Sequence, residues 1–265
     1  MAQIITDQIT GDPRTIKQLF SGRNYGLKYY QREYAWTESN LSELLDDLSV
    51  RFLNEYESTH ERPRVATYRP YFLGPIVTAN EGNILYLVDG QQRLTTLTLL
   101  LIHLLRVGGD PEAVLRPLVF GTRFGRQSFN LQVEEREEVM RAILNGEGFD
   151  PTATADESVR TIWARYQDLD VLFPHELRDP AVLPFFVDWL LERVIIVEIA
   201  ATDQDMALEI FETMNDRGSR LTSTDMLKSF LLAKPQANRS PTPTSPGGNA
   251  SRRSPTRRRR PTPTS

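Results

Sequence analysis

Apolar side chains recur along this chain with two different periods. After Thr37, residues Leu41, Leu44, Leu45, Leu48 and Phe52 fall at helical intervals while Glu43, Asp46 and Asp47 lie off the stripe. This predicts an amphipathic helix that packs on a sheet. Phe72–Thr78 and Ile84–Val88 are β-rich runs separated by Asn80-Glu81-Gly82-Asn83, the grammar of a hairpin. From Gln91 to Arg106 the pattern turns helical and nearly all apolar, so this helix is expected to be buried against that hairpin. Helical periodicity returns at Glu134–Leu144, Glu157–Leu172 and Ala181–Glu192, each bounded by Gly, Pro or Asp. Val194–Ala200 reads as a last β-branched strand, followed by helices near Asp203–Asn215 and Ser223–Ala233, the latter opened by a Thr222/Asp225 capping box. Nearer the start, Asp12-Pro13 predicts the cap and first turn of a short helix through Leu19 and Phe20, then a short strand around Tyr25–Tyr30. Glu57–Pro70 reads as a loop. The order of elements predicts an α+β fold, a small sheet with helices followed by a mostly helical part.

After Ala233 this grammar stops. Pro241-Thr242-Pro243-Thr244 recurs at Pro261–Thr264, Arg257–Arg260 is a basic run, and apolar side chains nearly vanish. Residues 234–265 therefore read as a disordered basic tail, either a linker stump, an out-of-frame end or an arm for DNA. The expected organisation is one body over 1–233: a core at about 9–106, a helical part at about 107–192 and a strand–helix–helix closing element at about 193–233. The tail also hides a charge asymmetry. It carries eight basic and no acidic side chains, so the net charge of −4 over 265 residues leaves −12 on the body. An acidic body meets DNA only through a local basic patch or a partner, which disfavours generic nucleic-acid coating. There is no cysteine, hence no disulfide, thiolate metal site or thiol nucleophile. No run reaches the roughly 18 apolar residues of a membrane helix, and no signal peptide is visible, so a cytoplasmic protein is expected.

Candidate chemistry centres on Ile84-Leu85-Tyr86-Leu87-Val88-Asp89-Gly90-Gln91-Gln92-Arg93. A buried strand ends in Asp-Gly, the chain turns, and a helix opens with two amides and a guanidinium. Free amides at a helix start attract phosphate, Gly90 permits close approach, and Arg93 can clasp phosphate oxygens. Asp89 can hold a divalent cation or orient a water, and the uncharged Gln91 and Gln92 can position a water without repelling phosphate. The plain alternative is that Asp89 caps the helix while Gln92 and Arg93 face solvent.

Asp89–Arg93 with the following Leu-Thr-Thr-Leu resembles the signature of the N-terminal domains of Gmr-type modification-dependent restriction enzymes. Two other boxes agree: Tyr30-Gln31-Arg32-Glu33-Tyr34-Ala35-Trp36, and Phe211-Glu212-Thr213-Met214-Asn215-Asp216-Arg217-Gly218 with Leu221 and Asp225–Lys228. The resemblance covers about Ile9–Leu232. It implies a core similar to the ParB and sulfiredoxin superfamily, which binds a nucleotide phosphate where a strand runs into a helix. The branch it most resembles is the Ssp-type effector that senses phosphorothioate DNA and couples sensing to GTP hydrolysis and nicking. The implied substrate is GTP or another NTP, with Mg²⁺ on Asp89. Asp89, Gln91, Gln92 and Arg93 would then be catalytic, and Gly90, Thr95, Asn215, Arg217 and Lys228 would bind nucleotide. Tyr30, Gln31 and Arg32 would read DNA from a groove, or else face the nucleotide, with Tyr34 and Trp36 as core residues beneath them. Lys28 and Glu33 stand near positions where family members often carry proline, so the resemblance does not carry over groove shape and charge.

Full-length enzymes of this kind continue into a His-Asn-His nuclease domain, which would be a partner of this chain; no nuclease activity is expected of the chain itself. His60-Glu61-Arg62-Pro63 matches a fragment of such nucleases but lies in a loop without later histidine partners. His103, among leucines, reads as a core histidine. The leading expectation is an NTP-hydrolysing DNA-modification sensor. Its rivals are a nucleotide-switched DNA-binding module without significant turnover and, less favoured, a toxin-like nuclease.

Overall fold

The computed structural model describes residues 9–27, 33–81, 84–108, 112–123 and 126–216. The predicted helix at Ser223–Ala233 and the tail lie outside these residues. In chain order the elements begin with β1 (Ile9–Thr15), α1 (Ile16–Phe20), β2 (Tyr25–Gly26), α2 (Glu38–Leu53), β3 (Tyr71–Glu81), β4 (Ile84–Asp89) and α3 (Gln91–Val107). They continue with α4 (Glu112–Val119), β5 (Phe120–Arg123), β6 (Arg126–Phe129), β7 (Leu131–Gln132), α5 (Glu137–Asn145), α6 (Glu157–Leu172), α7 (Leu183–Arg193), β8 (Val194–Ala201) and α8 (Gln204–Asp216). The fold is α+β.

Six strands form one mixed sheet in the order β1-β8-β3-β4-β2-β7, and β5 and β6 form a separate two-stranded ribbon. The last strand in sequence is therefore inserted near the first: β8 runs antiparallel to β1 and parallel to β3. Alternation along the strands gives the sheet two buried faces. Ile76, Leu87, Val194 and Ile196 join the large core built with α1 to α7, whereas Val77, Ala79, Val88, Val197, Ile199 and Ala201 face the other way. That second face is covered by α8 through Ala207, with Met206, Leu208, Ile210, Phe211 and Met214 packed around it.

A buried charge interrupts the first face. Glu198 on β8 is 1% exposed and is clasped by Arg14 from β1 and by Arg23 (Nη1 2.8 Å, Nη2 2.5 Å), while Thr78 of β3 donates at 3.3 Å. Two guanidiniums and a hydroxyl meet the hydrogen-bonding need of a carboxylate that would otherwise be costly to bury.

Several expectations need correction. Asp12-Pro13 does not start a helix: both lie in β1, paired with Glu198 and Val197, and α1 is opened instead by Thr15 in a capping box with Gln18. Proline is tolerated there because β1 is an edge strand, whose outer side needs no N–H. The amphipathic α2 is capped by Thr37 and buries the expected stripe, but its main neighbours are α6 and α7 rather than the sheet. Likewise α3, buried along most of its length, is sheathed by α4, α5, α6 and β7. The loop at 57–70 holds a 3-10 helix, Arg62–Thr67. Among the described residues no helix is long and apolar enough to cross a membrane.

Candidate nucleotide-binding site

The β4–α3 turn is shaped by two strand irregularities. On β4 the register with β3 slips between Val77↔Asp89 and Thr78↔Leu87, which makes Val88 a bulge and re-aims Asp89. On β3 a second slip between Phe72 and Gly74 lies beside the same turn. Gly90 follows with φ 93° and caps α3, and a Cβ built there would stand 2.4 Å from Ile76 Cγ2. Glycine is therefore required twice, by backbone conformation and by the strand packed against it. Among the described residues no side chain caps α3, which leaves the amides of its first turn open to another acceptor.

Arg93 turns back under this helix start. Its Nη1 donates to Pro75 O at 2.7 Å, and the guanidinium lies against Gly74, where a Cβ would come within 3.1 Å of Nη2. Gly74, at φ 119°, thus makes room for the arginine. Asp89 accepts from the Gly90 N–H at 2.7 Å. Burial pushes its carboxyl above the usual range, against the opposing pull of that N–H and of Arg93. Burial lowers Arg93, opposed by Asp89 and then Tyr71. Each charge sits in surroundings that disfavour it, an arrangement common where a charged ligand completes the site.

These residues line a cavity of about 500 Å³ with Trp36, Val88, Gly90, Gln91, Gln92, Leu208 and Phe211. One wall is thus the helix that covers the second sheet face. Gln91 lines the cavity with its Oε1 buried and without a hydrogen-bond partner among the described residues, an acceptor still to be satisfied. Gln92 is engaged elsewhere. Its Nε2 donates to Glu33 O at 2.7 Å and its Oε1 accepts from Ala35 N at 2.9 Å, so one side-chain amide clamps the backbone on both sides of Tyr34.

Tyr34 is 2% exposed, bonded through its hydroxyl to Thr96 (2.8 Å) and through its N–H to Ser158 (2.9 Å), as a core residue should be. Trp36 is half-buried and its carbonyl accepts from Arg165 at 3.2 Å. It lines both the 500 Å³ cavity and a larger one of about 970 Å³ that also contains Glu33, Glu135, Asp156, Glu157 and Arg165. Thr95 is not brought to the turn: it is 1% exposed, faces a different cavity and lies 3.4 Å from Arg136 Nη1. Asn215 lies in the last turn of α8. Tyr30, Gln31, Arg32, Arg217 and Lys228 lie outside the described residues. Sequence reasoning missed Gly74, Pro75 and Leu208. The glycine-proline pair inside a strand run was the one available sign of the first two, and nothing in sequence marks Leu208.

Among the described residues no group of three or more His, Asp or Glu is placed to hold a metal ion. On the described lining of this cavity Asp89 is the one carboxylate, which would suit Mg²⁺ shared with phosphate oxygens and water but not a protein-only metal cage.

No curated protein matches the chain. The family profile described as GmrSD restriction endonuclease, N-terminal domain, matches residues 16–232, from α1 through all three boxes. The chain belongs to the family of GmrSD restriction endonuclease N-terminal domains.

Proposed function

We propose that this restriction-system domain binds a nucleoside triphosphate, most naturally GTP, at the β4–α3 turn, hydrolyses it, and uses the reaction to report modified DNA to a nuclease domain. The observation that carries this reading is the uncapped start of α3, with Arg93 and Asp89 buried beside it in a cavity of about 500 Å³. Phosphate oxygens would accept from the free amides and from Arg93, whose charge is worth more in a partly desolvated site than in water. The buried acceptor of Gln91 suits a water that needs orienting. Gln92, clamped to Glu33 and Ala35, would position the Tyr-Gln-Arg segment rather than touch nucleotide. Mg²⁺, held by Asp89 and the phosphates, would neutralise charge on the transferred group.

DNA is the expected partner because the family's name is that of a restriction endonuclease. Tyr30, Gln31 and Arg32 would read the modification, a phosphorothioate being the leading candidate. The sulfur accepts hydrogen bonds less well than oxygen and is more easily desolvated. A second reading, a nucleotide switch with negligible turnover, is favoured by one observation: Gln92 is withdrawn from water positioning. Steady phosphate release from the purified chain with each NTP, with and without phosphorothioate duplex, separates the two. Asp89→Ala and Arg93→Ala are expected to abolish release while the fold persists. Wild-type rates in both folded variants would overturn the assignment. Release stimulated by modified but not unmodified duplex supports sensing, and Gln31→Ala should remove that stimulation while sparing the basal rate.

A further inference from the structure

The 500 Å³ cavity at the β4–α3 turn is lined by two kinds of chemistry. Gly90, Gln91 and Arg93 bring a helix start and a guanidinium, whereas Trp36, Leu208 and Phe211 bring apolar surface. The apolar residues belong to different layers of the fold. Trp36 packs against the large core on the first sheet face, and Leu208 and Phe211 pack on the second. The cavity therefore lies at the end of β4, where the covers of the two faces meet.

These two walls are held very differently. Trp36 is bracketed by fixed backbone: the N–H of Ala35 donates to Gln92 at 2.9 Å, the Trp36 carbonyl accepts from Arg165 at 3.2 Å, and Thr37 caps α2. The α8 helix is pinned mainly at its start, where the Met206 N–H donates to Asp203 Oδ1 at 2.9 Å and Ala207 is fully buried. Beyond that turn its apolar side chains, Leu208, Ile210, Phe211 and Met214, are only half-buried, and its main neighbours are β3, β4 and β8. A helix resting on one sheet face with so little buried surface opens locally at lower cost than the packed body.

We infer that a nucleotide bound at this turn lays its base against Trp36 and Phe211, and that this contact ties α8 to the body, so that α8 firms when the site fills and loosens when it empties. A ligand with an anionic part and a flat aromatic part matches both kinds of lining, and aromatic side chains hold a base through its π-face. Whatever α8 adds to nucleotide affinity, the nucleotide returns as stability of α8, because the coupling is reciprocal. The chain continues from the end of this helix, which makes α8 the route by which occupancy is felt downstream. The inference rests on the reading of the β4–α3 turn as a nucleotide site.

The test compares a non-hydrolysable GTP analogue with inorganic tripolyphosphate, which has the phosphates and no base, on the full chain with Mg²⁺. Calorimetric binding of the analogue should weaken roughly tenfold in Phe211→Leu and in Trp36→Leu, the size expected for a lost base stack. Tripolyphosphate binding should stay near wild type in both. Phe211→Tyr should restore the analogue, and Arg93→Ala should weaken both ligands. Hydrogen exchange at the amides of residues 206–214 should slow several-fold with saturating analogue, little with tripolyphosphate, and little with either ligand in Phe211→Leu. Analogue binding near wild type in both folded leucine variants, or α8 exchange that ignores the analogue, would overturn the inference, while a loss in Arg93→Ala would leave the nucleotide site standing. An equal loss of tripolyphosphate in the leucine variants would also overturn it, because the two residues would then be shaping the phosphate site. Wild type that does not bind the analogue would overturn both the site and the inference.

Discussion

Gly90 and Gln92 differ in how openly the sequence declares them. An Asp-Gly pair between a strand and a helix already calls for positive φ, but the second demand on Gly90, the approach of Ile76, arises from bulged strand pairing and cannot be read locally. Gly90→Ala combines a strained backbone with an overlap at 2.4 Å and is expected to cost about 2–4 kcal/mol, measured by denaturant titration. A loss under about 0.5 kcal/mol would mean that β3 yields easily. Gln92 reads from sequence as a second water-positioning amide, whereas its partners are backbone atoms 57 and 59 positions away. Gln92→Ala should therefore raise hydrogen exchange at the Ala35 amide and reduce stimulation by modified DNA, with basal phosphate release falling less than in Arg93→Ala. A basal loss as deep as that of Arg93→Ala would return Gln92 to the nucleotide.

At the level of elements, the long helices were legible because stripe and boundary agree. The α6 helix has the predicted limits, and α2 opens at the predicted cap. Short elements were not. β1 contains a proline and gains its strand character from β8, far away in sequence, while β5 and β6 are four residues each with no alternation to betray them. His103 is a core histidine, and its setting between α3 and α6 gives this packing a pH dependence. It is 2% exposed, lies against the Phe173 ring at 4.9 Å, and has Nδ1 3.2 Å from Asp170 Oδ1. Burial, with smaller opposition from Asp170 and smaller help from Arg178 and Arg106, lowers its pKa to about 4. The unfolded chain then binds a proton that the folded chain refuses, so stability is complete above about 6.5, the unperturbed histidine value, and falls as pH drops toward about 4. The contribution is on the order of 3 kcal/mol at most. Thermal melts of wild type and His103→Leu between pH 7 and pH 4 check it: the variant should lose part of the acid-side decline. Parallel curves would remove His103 as its source.

For the whole molecule, the α+β class and the strand-to-helix turn at Asp89-Gly90 were legible in the chain. The sheet order was not, because it depends on where β8 inserts and no local pattern specifies that. Insertion of β8 between β1 and β3 also governs what shortened chains can do. A chain ending at Arg193 would leave both neighbours without their shared partner. A chain ending at Ala201 would complete the sheet but leave Val77, Val88, Val197 and Ile199 without the cover of α8. The first is expected to lack protease resistance. The second should elute as soluble aggregates that bind apolar dyes, and a monomeric, protease-resistant product in either case would contradict the arrangement. The same feature sets a clock on biogenesis. With β8 at residues 194–201, the strand formed first cannot pair until most of the body has left the ribosome, a wait on the order of ten seconds or more at usual elongation rates. During that interval β1 and β3 are open edges on an incomplete sheet, so the nascent chain should be a client of ribosome-associated chaperones.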